Sequence, residues 1–234
     1  MSYILGYIAA DGCITERKNK PNTPYSLNIT SADYDHLIKI RKVLLSDYSI
    51  SLKSNSTPSK KVFQLQMTNQ TIVTDLFNLG IFPRKTFNLS PIDTPKKYFP
   101  DFVRGFFDGD GSVYIYNVNN VPQIKACFGG TNKKFISDLN QKICPLLNIP
   151  LKNINRTEDR REGRATSYRF TFYIDDCEKL MKFMYGHTPT IYMDRKYKIF
   201  QKWQKIKGSN RRQYKKQNYP SKIGWHLNPN LGST

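Results

Sequence analysis

The sequence predicts an α+β fold built from two copies of one unit, each a helix, strands, a second helix, strands and a third helix. The first observation is a repeated motif, because YILGYIAADG (3–12) and FVRGFFDGDG (102–111) carry matching glycines and aspartates 99 residues apart. The second is the order of hydrophobic patterns behind each motif, which is the same in both halves. The third is a hydrophobic content of 38%, which supplies a packed core and is unlike that of a disordered chain.

The first repeat is assigned to residues 1–88. In YSLNITSADYDHLIKI (25–40), apolar and polar residues alternate as in a half-buried strand, and apolar residues then recur at helical spacing. The alternation in KKVFQLQMT (60–68) predicts a further strand, and TIVTDLFNLGI (71–81) predicts a helix after it.

The second repeat is assigned to residues 101–204, after a proline-rich linker over 89–100. Its elements follow in the same order: a strand and helix in 123–139, a strand in TSYRFTFYI (166–174) and a helix in DDCEKLMKFMY (175–185). Residues 205–234 are predicted to be a basic tail that binds phosphates, since the chain has no acidic residue from Arg195 onward.

The net charge of the 234-residue chain is +19, from 37 basic and 18 acidic residues. Self-repulsion of this size disfavours a compact state, so a polyanionic partner is expected, with nucleic acid as the first candidate. The scattered cysteines and histidines argue against a zinc finger and against a disulfide scaffold.

No apolar run is long enough to span a membrane, and no basic amphipathic helix has a clean apolar face, so no membrane partner is expected. No secretory or transit segment is recognised, which predicts an intracellular protein. An organelle, a phage-infected cell and the bacterial cytoplasm all remain open as its location.

The two motifs place an aspartate at the end of an apolar helix face: Ile4, Ile8 and Asp11 in the first, and Val103, Phe107 and Asp110 in the second. Small residues four apart in each motif let the two helices pack closely. Gly12 and Gly111 follow, where a helix commonly ends in a left-handed residue.

If the two helices pack side by side, both aspartates emerge at the same end of the seam. Carboxylates at the carbonyl ends of two helices repel each other and oppose both helix dipoles. A divalent cation resolves this conflict, and Mg²⁺ keeps water and phosphate oxygens as its remaining ligands. The motifs therefore predict a phosphodiester-hydrolysing metal site.

Residues 3–203 resemble the single-chain LAGLIDADG homing endonucleases, through ILGYIAADG, VRGFFDGDG, the strand–helix order and the paired Arg-Lys positions 84–85 and 195–196. The resemblance implies two αββαββα repeats related by a pseudo-two-fold axis, whose antiparallel sheets form a saddle over DNA. It also implies a monomer that cuts both strands of a long, nearly asymmetric site and leaves short 3′ overhangs. Mg²⁺ or Mn²⁺ would support cleavage, and Ca²⁺ binding without cleavage.

Carried over by position, the resemblance makes Asp11 and Asp110 the metal-binding catalytic acids, with the carbonyls of Ala10 and Gly109 as further metal ligands. Lys85 and Lys196 resemble the basic residues near the scissile phosphates, which stabilise charge or organise water. Asp108, where the first motif has Ala9, is expected to be structural.

Polar residues on the strand faces are the candidates for reading bases in the major groove, which admits two-stranded ribbons. In the two halves they differ chemically, which predicts dissimilar half-sites. The candidates are Thr15, Arg17, Asn19, Ser26, Asn28, Gln64 and Gln66 in the first repeat, and Tyr114, Tyr116, Gln123, Lys125, Arg169 and Thr171 in the second.

Three alternatives remain open. One is a DNA-binding relic that has lost cleavage, although retention of both aspartates argues against it. Another is an RNA maturase that assists splicing of its host intron, and the third is a basic RNA-binding structural protein, which would not need the paired carboxylates.

Overall fold

The computed structural model describes residues 1–18, 22, 24–53, 61–158, 166–187 and 189–218, with the backbone alone for residues 86–87 and 209–218. Over these residues the chain forms a mixed α/β fold in which each repeat contributes an antiparallel sheet. The predicted fold class and the order of elements in both repeats are confirmed.

The first repeat follows the predicted helix–strand order, with the element bounds α1 (Ser2–Asp11), β1 (Gly12–Glu16), β2 (Tyr25–Ser31), α2 (Tyr34–Val43), β3 (Ile50–Lys53), β4 (Val62–Met67), α3 (Gln70–Asn78) and the short α4 (Lys85–Asn88). The strands are ordered β1-β2-β4-β3 in the sheet, and neighbouring strands run antiparallel. β2 therefore lies in the interior of the sheet, with a strand on either side.

The second repeat has the same arrangement, with α5 (Phe99–Asp110), β5 (Ser112–Val118), β6 (Val121–Gly130), α6 (Lys133–Leu146), β7 (Asn155–Thr157), β8 (Ser167–Tyr173), α7 (Ile174–Tyr185) and α8 (Asp194–Asn218). Its strand order, β5-β6-β8-β7, is the counterpart of the first. The expected linker contains a 3₁₀ turn at Lys96–Tyr98, and α5 begins two residues before position 101.

The boundary predicted at 204/205 lies inside α8, which continues to Asn218. Phe200 and Trp203 anchor the earlier part of this helix in the core. Extending a nucleated helix costs far less than starting one, so the polar sequence after residue 204 continues a helix that the apolar part establishes.

α1 and α5 pack against each other along the centre of the molecule. A methyl group added at Gly6 would overlap the backbone carbonyl of Phe102, and one added at Gly105 would overlap that of Tyr3. The 99-residue offset between the repeats relates Gly6 to Gly105 and Tyr3 to Phe102, so each contact is the counterpart of the other. This equivalence is what an approximate two-fold axis along the seam requires. Each sheet packs its apolar face onto this helix pair, and Phe128, Phe170 and Phe172 are fully buried there.

Within the described residues, no helix has the length and apolar character needed to cross a lipid bilayer.

Candidate functional site

The helix seam brings the C-terminal ends of α1 and α5 together. A Cβ placed on Gly109 would overlap the Ala10 methyl and lie 3.4 Å from Oδ2 of Asp11. Asp11 and Asp110 are the last residues of the two helices. The arrangement expected of the paired aspartates, at one end of the seam, is therefore found.

Burial disfavours the charged form of both carboxylates, and at Asp110 the charge of Asp11 adds to this effect. Solvent reaches Asp110 from one side, yet desolvation by the surrounding protein and repulsion from Asp11 raise its pKa to about 6. Burial also raises the pKa of Asp11, against the lowering effect of Lys196 and Lys85. A site with this property gains from a bound cation, because the cation stabilises both charged forms.

The glycines after the motifs are not left-handed caps, and that prediction is wrong. Gly12 has φ −71° and Gly111 φ −78°, so both are extended. A Cβ on Gly12 would lie 2.7 Å from the Ile8 carbonyl oxygen, and one on Gly111 would overlap the Phe107 ring. Glycine is needed here because the chain turns sharply against the preceding helical turn.

A lysine from each repeat lies at the carbonyl end of that repeat's central helix. Lys85 Nζ donates to the carbonyls of Ala9 and Ala10, both at 2.7 Å. Lys196 Nζ lies 2.5 to 3.4 Å from four carbonyl oxygens at the end of α5, those of residues 107, 108, 109 and 111, which share its three N–H groups. Each ammonium compensates the negative end of a helix dipole.

Burial of these lysines lowers their pKa values. Lys196 is 3% exposed and has a pKa of about 8, which Asp108 and the two motif aspartates hold up. Lys85 is half-buried and its pKa is lowered, with Asp110 and Asp11 opposing the shift. Both lysines thus lie close enough to the aspartates for mutual electrostatic influence.

The donor set at the helix ends fits a hard divalent cation. No group of three or more His, Cys, Asp or Glu side chains lies together in the described part of the chain, so the protein ligands would be the two carboxylates and backbone carbonyls. The carbonyls of Ala10 and Gly109 already accept bonds from Lys85 and Lys196, but a carbonyl oxygen has a second lone pair. Mg²⁺ prefers a coordination shell with few protein oxygens, in which water and phosphate oxygens supply the remaining ligands.

Asp110→Asn is expected to stabilise the metal-free protein at pH 7 but not at pH 4. The folded-state pKa of about 6 exceeds the ordinary 3.8, so the folded chain binds a proton that the unfolded chain releases. The contribution of Asp110 to the free energy of unfolding therefore falls as pH rises from 4 to 6, and asparagine removes this loss. Urea denaturation in EDTA should show an advantage on the order of 1 kcal/mol at pH 7, after allowance for solvent screening. An equal advantage at both pH values would contradict the assigned electrostatics.

A cavity of about 480 Å³ opens beside Asp110 and Lys85, between the second sheet, α6 and the helix seam. Asn132 and Arg169 contribute polar groups to its wall, and Gly129 and Gly130 leave room where other residues would fill it. The cavity provides space next to the carboxylates for water or for part of a sugar–phosphate chain.

The candidate base-reading residues of the first sheet form one hydrogen-bonded network. Gln64 Nε2 donates to Asn28 Oδ1 at 2.6 Å, and Asn28 Nδ2 donates to Thr15 Oγ1 at 2.6 Å. Gln66 Nε2 donates to Ser26 Oγ at 3.3 Å, and Ser26 also pairs with Thr15. The network fixes which way each amide points.

Two of these candidates are buried and do not reach solvent in the structure. Ser26 is 0% exposed and Asn28 is 8% exposed. Both lie on the interior strand β2, where they hydrogen-bond to side chains from β1 and β4 on either side. Thr15 and Gln66 are exposed, and Gln64 is half-buried.

The second sheet presents a basic and aromatic face instead. Lys125 Nζ lies 4.7 Å from the centre of the Tyr114 ring and 5.0 Å from that of Tyr116. The Tyr116 hydroxyl donates to Gln123 Oε1 at 3.1 Å. Arg169 is exposed, and half-buried Thr171 has its hydroxyl 3.2 Å from Cys127 Sγ. The chemical difference expected between the two faces is present.

The last two candidates of the first repeat follow the end of β1 in the sequence. Arg17 follows the end of β1, with a backbone hydrogen bond to Pro24. Asn19 lies outside the described residues.

A buried polar chain that joins the repeats could not be predicted from the sequence. The Tyr3 hydroxyl donates to Asp108 Oδ2 at 2.7 Å and lies 3.0 Å from His36 Nε2. Burial raises the pKa of Asp108 to about 6 and lowers that of His36 to about 4. The contacts agree with the structural role expected of Asp108, and the only sequence signal was a carboxylate where the first motif has Ala9.

Arg104 also makes buried contacts between elements that the sequence did not indicate. Its side chain is 1% exposed and donates to the carbonyls of Met184 and Ile191 at 2.6 and 3.0 Å, and to Asp101 at 2.6 Å. It thereby ties α5 to the end of α7 and to the segment between α7 and α8, upstream of Lys196.

Comparison with solved structures finds the same fold in LAGLIDADG homing endonucleases. The LAGLIDADG homing endonuclease I-GzeII in complex with its DNA target aligns with a TM-score of 0.59 at 15% identity, covering 91% of each chain. The LAGLIDADG meganuclease I-AabMI, bound to uncleaved DNA, aligns with a TM-score of 0.58 at 13% identity, covering 90% of this chain and 91% of that chain. I-LtrWI bound to target DNA gives 0.53 at 15% identity, with 92% and 90% covered.

Comparison of the sequence with protein-family models and with curated proteins found no match. The structural likeness extends over about nine-tenths of the chain and confirms the predicted two-repeat LAGLIDADG fold.

Proposed function

We propose that this protein is a site-specific endonuclease that cuts both strands of DNA with divalent metal ions. The observation that carries the proposal is the meeting of Asp11 and Asp110 at one end of the α1–α5 seam, each with a lysine from its own repeat at the same helix end. A structural turn would not require two acidic groups whose pKa values are both raised by burial, inside a chain of charge +19. The DNA-bound proteins with this fold support DNA as the partner.

Asp11 and Asp110 would hold the metal ions, with the carbonyls of Ala10 and Gly109 as further ligands. A bound Mg²⁺ or Mn²⁺ supplies activation of water and neutralisation of charge at the scissile phosphate. Lys85 and Lys196 place positive charge beside the phosphates, where negative charge develops during hydrolysis. Because both lysines are tied to helix carbonyls, little reorganisation is needed when the substrate binds.

The two sheets would read the half-sites in the major groove by different means. In the first repeat, Ser26 and Asn28 would orient Gln64 and Gln66, whose amides pair well with adenine. In the second, Arg169 suits guanine, and Lys125 between two tyrosines adds charge that holds the backbone. The target would be long and nearly asymmetric, bound by a monomer, and cut to leave short 3′ overhangs. The basic sequence after residue 204 would add contacts to phosphates.

Selection from a library of randomised duplexes, followed by cleavage of the selected sequence, tests the proposal. We expect cutting of both strands with Mg²⁺ or Mn²⁺, and binding without cutting with Ca²⁺ or after EDTA. Binding to the selected duplex without cutting in any metal would contradict the nuclease and support a DNA-binding relic. Preference for intron RNA over every selected duplex would contradict it in favour of a maturase.

A further inference from the structure

A buried contact fixes the segment that carries Lys196. Asp108 is 0% exposed, and its Oδ2 accepts from the Tyr3 hydroxyl at 2.7 Å and from the backbone N–H of Met193 at 2.8 Å. Met193 immediately precedes α8, and Lys196 lies in the first turn of that helix. Asp108 therefore connects α1 and α5 to the start of the helix that bears Lys196.

Two further ion pairs at the start of α8 lie on the surface, whereas the buried contact of Arg104 with the Ile191 carbonyl lies upstream of the helix. Asp194 pairs with Lys39 at 2.8 Å, and Arg195 pairs with Asp33 at 2.8 Å. Their side chains are 33 to 59% exposed, so water screens both pairs and weakens their restraint. The bond from Met193 to Asp108 lies in the core, where a charge-assisted hydrogen bond is strong and its loss leaves a buried donor unpaired.

The first repeat differs at this point. Ala9 occupies the position equivalent to Asp108 and has no side-chain acceptor for the segment that carries Lys85. Lys85 Nζ contacts two carbonyls of its helix, whereas Lys196 Nζ contacts four. The second half-site thus has a restraint that its counterpart lacks.

We propose that Asp108 is a positioning residue for the second half-site: it holds the first turn of α8, and so keeps the Lys196 ammonium at the end of α5 beside Asp110. This inference rests on the proposed function. The two DNA strands are related by the same approximate two-fold axis as the repeats, so each lysine faces one strand. Loss of the restraint should slow cleavage of the DNA strand that faces Lys196 and leave cleavage of the other strand unchanged.

The test is single-turnover cleavage of the selected duplex with a different label on each strand. Lys196→Met identifies the strand that depends on Lys196. Asp108→Ala should slow that same strand by about 30-fold and the other by less than about 3-fold, since a misplacement of about 1 Å can cost about 100-fold. Ala9 shows that an alanine fits this helix position in the first repeat.

Asp108→Asn is the conservative variant, because its amide oxygen can accept both hydrogen bonds. It should cleave both strands within about 3-fold of the unsubstituted protein, the range expected when geometry is kept. Asp33→Ala, which removes an exposed ion pair at the same helix start, is the matched control and should leave the ratio of the two strand rates unchanged. If Asp108→Ala is unfolded at the assay temperature, Met193→Pro removes the same bond from the donor side and should give the same strand bias.

A second measurement tests whether the start of α8 is held in place, without measuring cleavage. In the metal-free protein, hydrogen exchange at the Met193 amide should quicken by about 10-fold or more in Asp108→Ala, and stay slow in Asp108→Asn. Equal slowing of both strands, failure of asparagine to restore the rate, or unchanged exchange would overturn the positioning role while leaving the nuclease intact. An unsubstituted protein that cuts neither strand overturns the proposed function and this role with it, and the exchange rates then report only on the fold.

Discussion

Asp110→Asn is expected to abolish double-strand cleavage while DNA binding is retained, and Asp11→Asn should do the same. Asparagine keeps the size of the side chain but removes the charge that a divalent ion needs at the helix ends. We expect the rate of cleavage in Mg²⁺ to fall by about 1,000-fold or more, since the metal supplies several kcal/mol of charge stabilisation. Binding in EDTA should be equal or tighter, because a negative charge near the phosphates is gone.

Asp75→Asn is the matched control for these variants. Asp75 lies exposed on α3 and has the same change in charge. It should cleave at the unsubstituted rate. Undiminished cutting by either Asp110→Asn or Asp11→Asn would remove the basis of the proposed metal site.

Gly105→Ala is expected to unfold the protein at moderate temperature, and Gly6→Ala should be as severe. In each case the new methyl would overlap a backbone carbonyl of the facing helix, which no rotamer change can relieve. Overpacking of this kind costs about 3 kcal/mol or more, because the two helices must separate along the seam. For a chain of this length the melting midpoint should fall by about 10 °C in calorimetry.

Gly208→Ala tests whether the loss is specific to the seam. A methyl at Gly208 in α8 would meet no atom within 4 Å, and alanine favours a helix by about 0.5 to 1 kcal/mol. It should leave the melting midpoint unchanged or slightly raised. A similar loss at Gly208 and at the seam glycines would show that helix-wide effects, and not the close approach, govern stability.

The repeated architecture could be predicted from the sequence because its signals are local. The 99-residue offset aligned the motifs, and alternation of apolar residues located β2, β4, β6 and β8. The same local signals placed Asp11 and Asp110 at the end of one seam, since helix periodicity and small residues set which faces pack.

What the sequence did not reveal depends on contacts between distant residues. Tyr3 and Asp108 are 105 residues apart, and only the crossing of α1 and α5 brings them together. Ser26 follows a half-exposed pattern, but the neighbours of β2 on both sides bury it. Gly12 has an extended backbone that any residue can adopt, so glycine is required there by the lack of room for a Cβ against Ile8 and not by a left-handed φ.

The reciprocal glycine contacts along α1 and α5 also constrain how such a chain can diversify. Each glycine meets a main-chain carbonyl, which every amino acid possesses, so the junction is indifferent to most side chains on the opposing half. A half taken from another duplicated chain could be grafted on here if it kept its own glycine and a matching partner for the buried pair Tyr3–Asp108, which joins the two halves. Recombination could therefore swap whole halves, and with them the half-site preferences of the proposed nuclease, provided that this polar pair is kept.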